Sequence, residues 1–184
     1  MGSTSASGGY FVCLPADRIF ANRSSLTGSI GVLVEFSSAR DLLDKLGVKF
    51  ETVASGEFKA MGSISEPLTE REREHMQGVI NDFQSFFVET VSTARHMTVE
   101  QVRAMADGQV FTGRQALEMG LVDELGDQEA AINYAASLAG LSGEPRVIRA
   151  AGPALSFWDL FDRLSTTAAA RIQRHFSAPK FVMR

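Results

Sequence analysis

The chain has 184 residues and a mass of 19.9 kDa, enough for one domain of ordinary size or a small domain with an appendage. Its 45% hydrophobic and 22% charged residues exclude disordered, collagen-like and coiled-coil chains, and 18 basic against 22 acidic residues, a formal charge of -4, argue against a nucleic-acid binder. One cysteine, Cys13, excludes an intrachain disulfide and an all-cysteine metal site; no apolar run reaches the roughly 18 residues needed to cross a bilayer, so the chain as given is expected to be soluble.

The start reads like the interior of a domain, because the small residues Ser3 to Gly9 lead straight into Tyr10-Phe11-Val12. Ser7 to about Leu14 is expected to form a short buried helix closed by Pro15, and Arg18–Ala21 a short strand. Asn22 to Gly28 supplies turn chemistry. Ser29–Phe36 is β-branched and apolar enough for a strand buried on both faces, as in a parallel sheet. Ser38 caps a predicted helix to Leu46, ended by Gly47; Val48–Val53 alternates like a strand, and Ala54 to Pro67 is a loop. This alternation of helices and strands is the rhythm of an α/β domain.

Thr69-Glu70-Arg71-Glu72 is a capping box opening a long predicted helix to about Arg95, with an apolar stripe through Met76, Val79, Ile80, Phe83, Phe86, Phe87, Val91 and Ala94. That stripe reads as core or subunit interface rather than as a ligand groove. A second short helix spans Thr98 to Ala106, with Thr98 and Gln101 in capping positions. Asp107-Gly108 turns into a strand at Gln109–Phe111, and Thr112 starts a helix that Gly120 ends. Ala130–Leu138 is an alanine-rich helix, Arg146–Arg149 a candidate last strand, and Ser156 the cap of an amphipathic helix carrying Phe157, Trp158, Leu160, Phe161 and Leu164. The stretch Leu141 to Pro153 is the one plausible internal boundary, dividing residues 1–140 from an extension over 141–184.

Ser7 precedes Gly8 and Gly9 at a helix start, where free backbone N–H groups converge and glycine admits a close substrate backbone, a setting that suits a nucleophile. Alone, the pattern reads more readily as a tight turn. A serine nucleophile needs a base. His75, His96 and His175 read as helix-surface or helix-end residues rather than members of a triad. A lysine serves when desolvation or nearby positive charge keeps it neutral, and Lys59 stands out in a loop beside Phe58 and Met61. On these residues alone an ordinary surface-loop lysine is the simpler reading.

Several linked motifs narrow the choice. Ala6-Ser7-Gly8-Gly9-Tyr10, Ala16 to Asn22, Leu26 to Val32, Leu46-Gly47-Val48, Ser55 to Lys59, Ala106 to Ala116 and Gly120 to Gly126 resemble, in order and spacing, the signal peptide peptidase A (protease IV) family over about the first 140 residues. The resemblance implies a Clp protease/crotonase-like α/β fold, Ser7 as nucleophile, Lys59 as general base, Ser29 as the residue orienting the lysine, and Gly8 N–H as part of the oxyanion hole. It implies acyl transfer on signal peptides and other apolar peptides, without metal or organic cofactor. It also implies a homo-oligomeric ring in which serine and lysine of neighbouring protomers meet, and membrane association of the full-length family. A lysine base further implies activity that rises with pH.

Two departures stand out. Ala60 follows Lys59 where many relatives carry an acidic residue. Relatives also carry, ahead of the serine motif, a membrane anchor, the first strand-helix units and a glycine-rich half of the oxyanion hole, a donor whose loss costs roughly 2.7–4 kcal/mol. The chain is therefore expected to be the catalytic-motif portion of the domain, incomplete at its N-terminus. Two further readings are kept: a non-catalytic oligomerisation subunit of the same fold, and a crotonase-like acyl-coenzyme A enzyme.

Overall fold

The computed structural model describes residues 1–148. The chain divides after Pro145, and Met1–Pro145 forms one compact unit holding every helix and strand among the described residues. Helices and short strands alternate through it, so the α/β class expected from the sequence is observed.

Strand β1 (Thr4–Ala6) runs into helix α1 (Gly8–Cys13) with Ser7 alone between them. Strands β2 (Phe20–Ala21) and β3 (Leu26–Gly28) follow, and β3 returns parallel to β1, pairing Thr4 with Leu26 and Ala6 with Gly28. After helix α2 (Arg40–Lys45) and a 3-10 turn at Glu57–Ala60 comes the long helix α3 (Glu70–Arg95). Helix α4 (Val99–Arg103), strand β4 (Val110–Thr112), helix α5 (Gly113–Glu118), strand β5 (Glu124–Leu125) and helix α6 (Gln128–Leu138) complete it. One sheet has the order β1-β3-β4, with β4 antiparallel to β3; β2 and β5 form a separate parallel pair.

The helices follow from local chemistry. Thr69, Thr98 and Thr112 each accept a bond from the backbone N–H three residues on, while Glu72, Gln101 and Gln115 reach back to the cap. Each reciprocal pair satisfies two donors that a helix start otherwise leaves open. Gly47 and Gly120, at φ 69° and 78°, turn the chain out of α2 and α5 in the left-handed conformation that a Cβ opposes.

The strands depart from expectation. Leu26–Gly28 is a strand rather than part of a turn. Ser29–Phe36 is not one: Gly28 and Ser29 both take positive φ, 76° and 51°, which breaks the extended path, and beyond Gly31 the segment pairs with no strand among the described residues. Leu33 is then 77% exposed instead of buried on both faces. Val48–Val53 likewise has strand-like alternation but pairs with no strand among the described residues, and Val53 is 94% exposed. Helix α1 buries only Tyr10. Arg146–Ile148 has no regular structure, whereas Arg149 and the predicted helix after Ser156 lie outside the described residues.

The core gathers Tyr10 and Leu14 of the α1 region, Ile19, Ile30, Phe87 and Val91 of α3, Val102 of α4, Ala116 of α5, and Leu121 and Val122. It includes Tyr10 of α1, so the helix that follows the serine turn is anchored in the core. Among the described residues no helix is long and apolar enough to cross a membrane.

Candidate active site

Ser7 occupies a strand–turn–helix junction with φ 52° and ψ -123°. Positive φ crowds the Cβ of a non-glycine residue against its own backbone, at a cost of about 1–3 kcal/mol. The conformation is pinned: Ser7 N–H donates to the Gly28 carbonyl (2.8 Å), and the Ser7 carbonyl accepts from Phe11 N–H (3.0 Å). Ser7 is half-buried, and its hydroxyl makes no capping bond to α1. The oxygen is thus presented at the junction rather than absorbed by the helix, as in the strained elbow of serine hydrolases.

Gly8 and Gly9 open α1 ahead of its first backbone bond, where N–H groups have no intrahelical acceptor. A Cβ at Gly8 would meet nothing within 4 Å, so packing alone does not require glycine there. What glycine provides is an unobstructed approach to the Ser7 oxygen.

Ser7, Gly8 and Ser29 line one groove of about 660 Å³. Ser29 N–H donates to the Gln109 carbonyl (2.7 Å) and Gly108 N–H to the Ile30 carbonyl (3.1 Å), which ties the 29–31 segment to the loop 107–109 as the groove floor. Gly31 and Gly108 approach so closely that a Cβ at Gly31 would stand 3.2 Å from Gly108 Cα. The walls are apolar. Phe83 and Phe86 of α3 are 57% and 56% exposed and face the groove with Phe11, whose ring lies 5.6 Å from Phe86 and 5.2 Å from Phe87. Part of the α3 stripe, expected to be core or interface, is therefore groove wall. Gln84 fastens that wall to the floor, donating from Nε2 to the Ala106 carbonyl (2.9 Å).

Lys59 lies elsewhere. It is exposed on the 3-10 turn and does not line the groove. Glu57 pairs with Arg71 at 2.8 Å, and the Phe58 ring packs 4.8 Å from His75, with the Arg71 guanidinium 5.7 Å from its centre. These contacts moor the turn to the first two turns of α3. The groove-lining Phe83 and Phe86 come eight to eleven residues after His75, about 12–16 Å along the helix axis. Within one chain the structure joins Ser7, Gly8 and Ser29 and sets Lys59 apart from them.

Behind the serine turn is a set of residues the sequence did not single out. Tyr10 is fully buried and donates its hydroxyl proton to the Leu121 carbonyl (2.8 Å). Arg95, in the last turn of α3, donates from Nε to the Gly120 carbonyl (2.9 Å) and from both terminal nitrogens to Asp123 (3.0 and 2.7 Å). Asp123 also accepts from Ile19 N–H (2.7 Å). Burial pushes the Tyr10 phenol pKa well up, which keeps its proton available for donation. Burial also opposes the charge of Asp123, but the Arg95 and Ile19 bonds and the Arg95 charge outweigh it and hold the carboxyl below its ordinary value. The available signal was a tyrosine inside an apolar run, since a buried hydroxyl needs an acceptor.

No cluster of three or more histidine, cysteine or acidic side chains able to hold a metal occurs among the described residues. His96 ends α3 in the left-handed conformation, φ 53°, in keeping with its reading as a helix-end residue; His175 lies outside the described residues.

Comparison with known proteins decides the family. Residues 1–142 match the model of peptidase family S49. The chain belongs to this family. It is 44% identical over 140 residues to a Synechocystis sp. protein with a provisional protease name, covering 76% of this chain. It is 39% identical over 131 residues (71% of the chain) to an Enterococcus faecium protein provisionally named signal peptide peptidase SppA, and 38% identical over 141 residues (77%) to Protease 4 of Salmonella typhi. The aligned regions make up 50%, 38% and 23% of these relatives, so the chain spans half their length or less.

Proposed function

We propose that this chain carries the catalytic motif of a serine endopeptidase of the signal peptide peptidase type, with a Clp protease/crotonase-like fold over about residues 1–140 and a C-terminal extension after it. The observation that carries the proposal is the strained Ser7 elbow opening onto an apolar groove. A nucleophile held by backbone strain, beside glycine N–H groups and above aromatic walls, suits attack on an extended apolar peptide. Membrane-released signal peptides are substrates of this chemistry, and the enzyme works in association with the membrane, without metal or organic cofactor.

In the reaction, the Ser7 oxygen attacks the scissile carbonyl while its proton passes to the neutral Lys59 amine. Gly8 N–H helps hold the oxyanion. The C–N bond then breaks, and the lysine gives its proton to the leaving amine. Water deprotonated by the same lysine releases the acyl group and restores Ser7. Ser29, on the groove floor, orients the lysine. The distance between Lys59 and the groove within one chain supports a site built from two protomers of a ring, each supplying one member of the dyad.

The test uses the assembled protein and a fluorogenic apolar peptide. Ser7→Ala and Lys59→Ala are each expected to lower turnover by at least about a thousandfold with unchanged melting temperature, and a serine-reactive phosphonate is expected to label Ser7. Full turnover by either variant refutes the mechanism. A folded assembly that neither turns over nor labels supports the non-catalytic subunit instead, and retention on immobilised coenzyme A supports the acyl-coenzyme A reading.

A further inference from the structure

A strained residue persists only where its surroundings over-determine it. On the amino side of Ser7 the constraint is plain: β1 is paired with β3, and Ser7 N–H is bound to the Gly28 carbonyl. On the carboxyl side it is not. Helix α1 has six residues, its first two are glycines without side chains, and a Cβ at Gly8 would touch nothing. The first side chain that can fix the direction of α1 is Tyr10.

Tyr10 is 0% exposed, and its hydroxyl reaches a carbonyl 111 residues away in the chain. Its acceptor is immobilised in turn. Leu121 N–H donates to the Ala116 carbonyl (2.8 Å), Arg95 grips Gly120 on one side and Asp123 on the other, and Asp123 takes the Ile19 N–H. The Arg95 side chain is 10% exposed and that of Asp123 26%, so the guanidinium is largely shielded from solvent while the carboxylate is half-buried. A phenylalanine would fill the same space in the core. Only the hydroxyl supplies direction, because a hydrogen bond weakens steeply off its axis while apolar packing is tolerant of small rotations.

We propose that Tyr10 is a positioning residue for the nucleophile: its bond to the Leu121 carbonyl, backed by the Arg95–Asp123 pair, holds α1 in the orientation that presents the Ser7 oxygen and the Gly8 N–H together. This rests on the reading of Ser7 as the nucleophile. Loss of the bond leaves the core filled and lets the helix start shift, and small misplacements of reacting groups are costly in rate.

The experiment compares wild type, Tyr10→Phe and Arg95→Lys in the assembled protein, below the melting temperature of each. Tyr10→Phe is expected to reduce kcat by on the order of ten- to a hundredfold, with KM within about twofold. The rate of Ser7 labelling by the phosphonate is expected to fall in parallel. Amide hydrogen exchange is expected to speed up at Ser7 and Phe11 and to stay unchanged in α6, and Arg95→Lys is expected to produce the same pattern more weakly. A Tyr10→Phe enzyme that melts earlier yet keeps wild-type kcat and labelling overturns this inference alone. A folded wild type that neither cleaves peptide nor labels at Ser7 overturns the peptidase reading, and this inference with it.

Discussion

Asp123 shows how a single side chain can serve several elements at once. Its carboxylate binds the end of α3 through Arg95 and the approach to β2 through Ile19 N–H. Those bonds hold its pKa below the ordinary value despite burial. A carboxylate depressed by folding contributes stability above its unfolded pKa of about 3.9, and that contribution is lost as pH falls through the lower folded value. Asp123→Asn is expected to be less stable than wild type by roughly 1–3 kcal/mol near neutral pH, since it removes the counter-charge of a shielded arginine while leaving one acceptor oxygen. Its stability is also expected to decline less steeply below about pH 4. Melting curves across the acid range test this, and parallel curves for the two proteins would refute it.

At the scale of elements, α3 combines three jobs along one rod. Its first turns moor the Lys59 turn, its middle supplies Phe83 and Phe86 to the groove, and its end carries Arg95 to the support of the serine turn. Its start depends on Thr69, whose hydroxyl accepts from Glu72 N–H (3.2 Å) while the Glu72 carboxylate accepts from Thr69 N–H (2.9 Å). Thr69→Ala is expected to lower stability by about 1 kcal/mol and to fray the turns under Phe58 before the turns under the groove. Hydrogen exchange resolved along α3 checks the order, and uniform protection would contradict it.

The same scale explains what could be read in advance. Thr69-Glu72, Thr98-Gln101 and Thr112-Gln115 each announce a helix within four residues, and all three helices begin where those signals put them. Strands have no such local signal. Ser29–Phe36 and Val48–Val53 have β-branched, alternating composition, but a ladder needs a partner at the right place, and that is a property of the whole fold. Leu26–Gly28, short and ordinary in composition, became a strand because β1 and β4 flank it.

For the whole molecule, the spacing of Ser7 and Lys59 leads to an assembly experiment. If each site draws its serine and lysine from different protomers, then mixing inactive Ser7→Ala and Lys59→Ala subunits after dissociation is expected to restore activity, approaching about a quarter of wild type at equal mixture when subunits exchange at random. No recovery in a mixed assembly of normal size would place both groups in one chain. The exposed Leu33, Val34, Phe50 and Val53 form apolar surface of the kind that association covers.

Residue order alone was enough for the α/β class and the capped helices, and its linked motifs were enough for the resemblance to the family, which names Ser7, Lys59, Ser29 and Gly8 as candidates. These depend on residue types at short fixed spacings, where chemistry is local. Packing in three dimensions settled the rest: that Ser7 is strained, that the α3 phenylalanines wall its groove, that Lys59 stands apart, and that Tyr10 reaches Leu121. Each of those joins or separates residues far apart in the chain, and such relations exist only once the core has formed and brought its elements together.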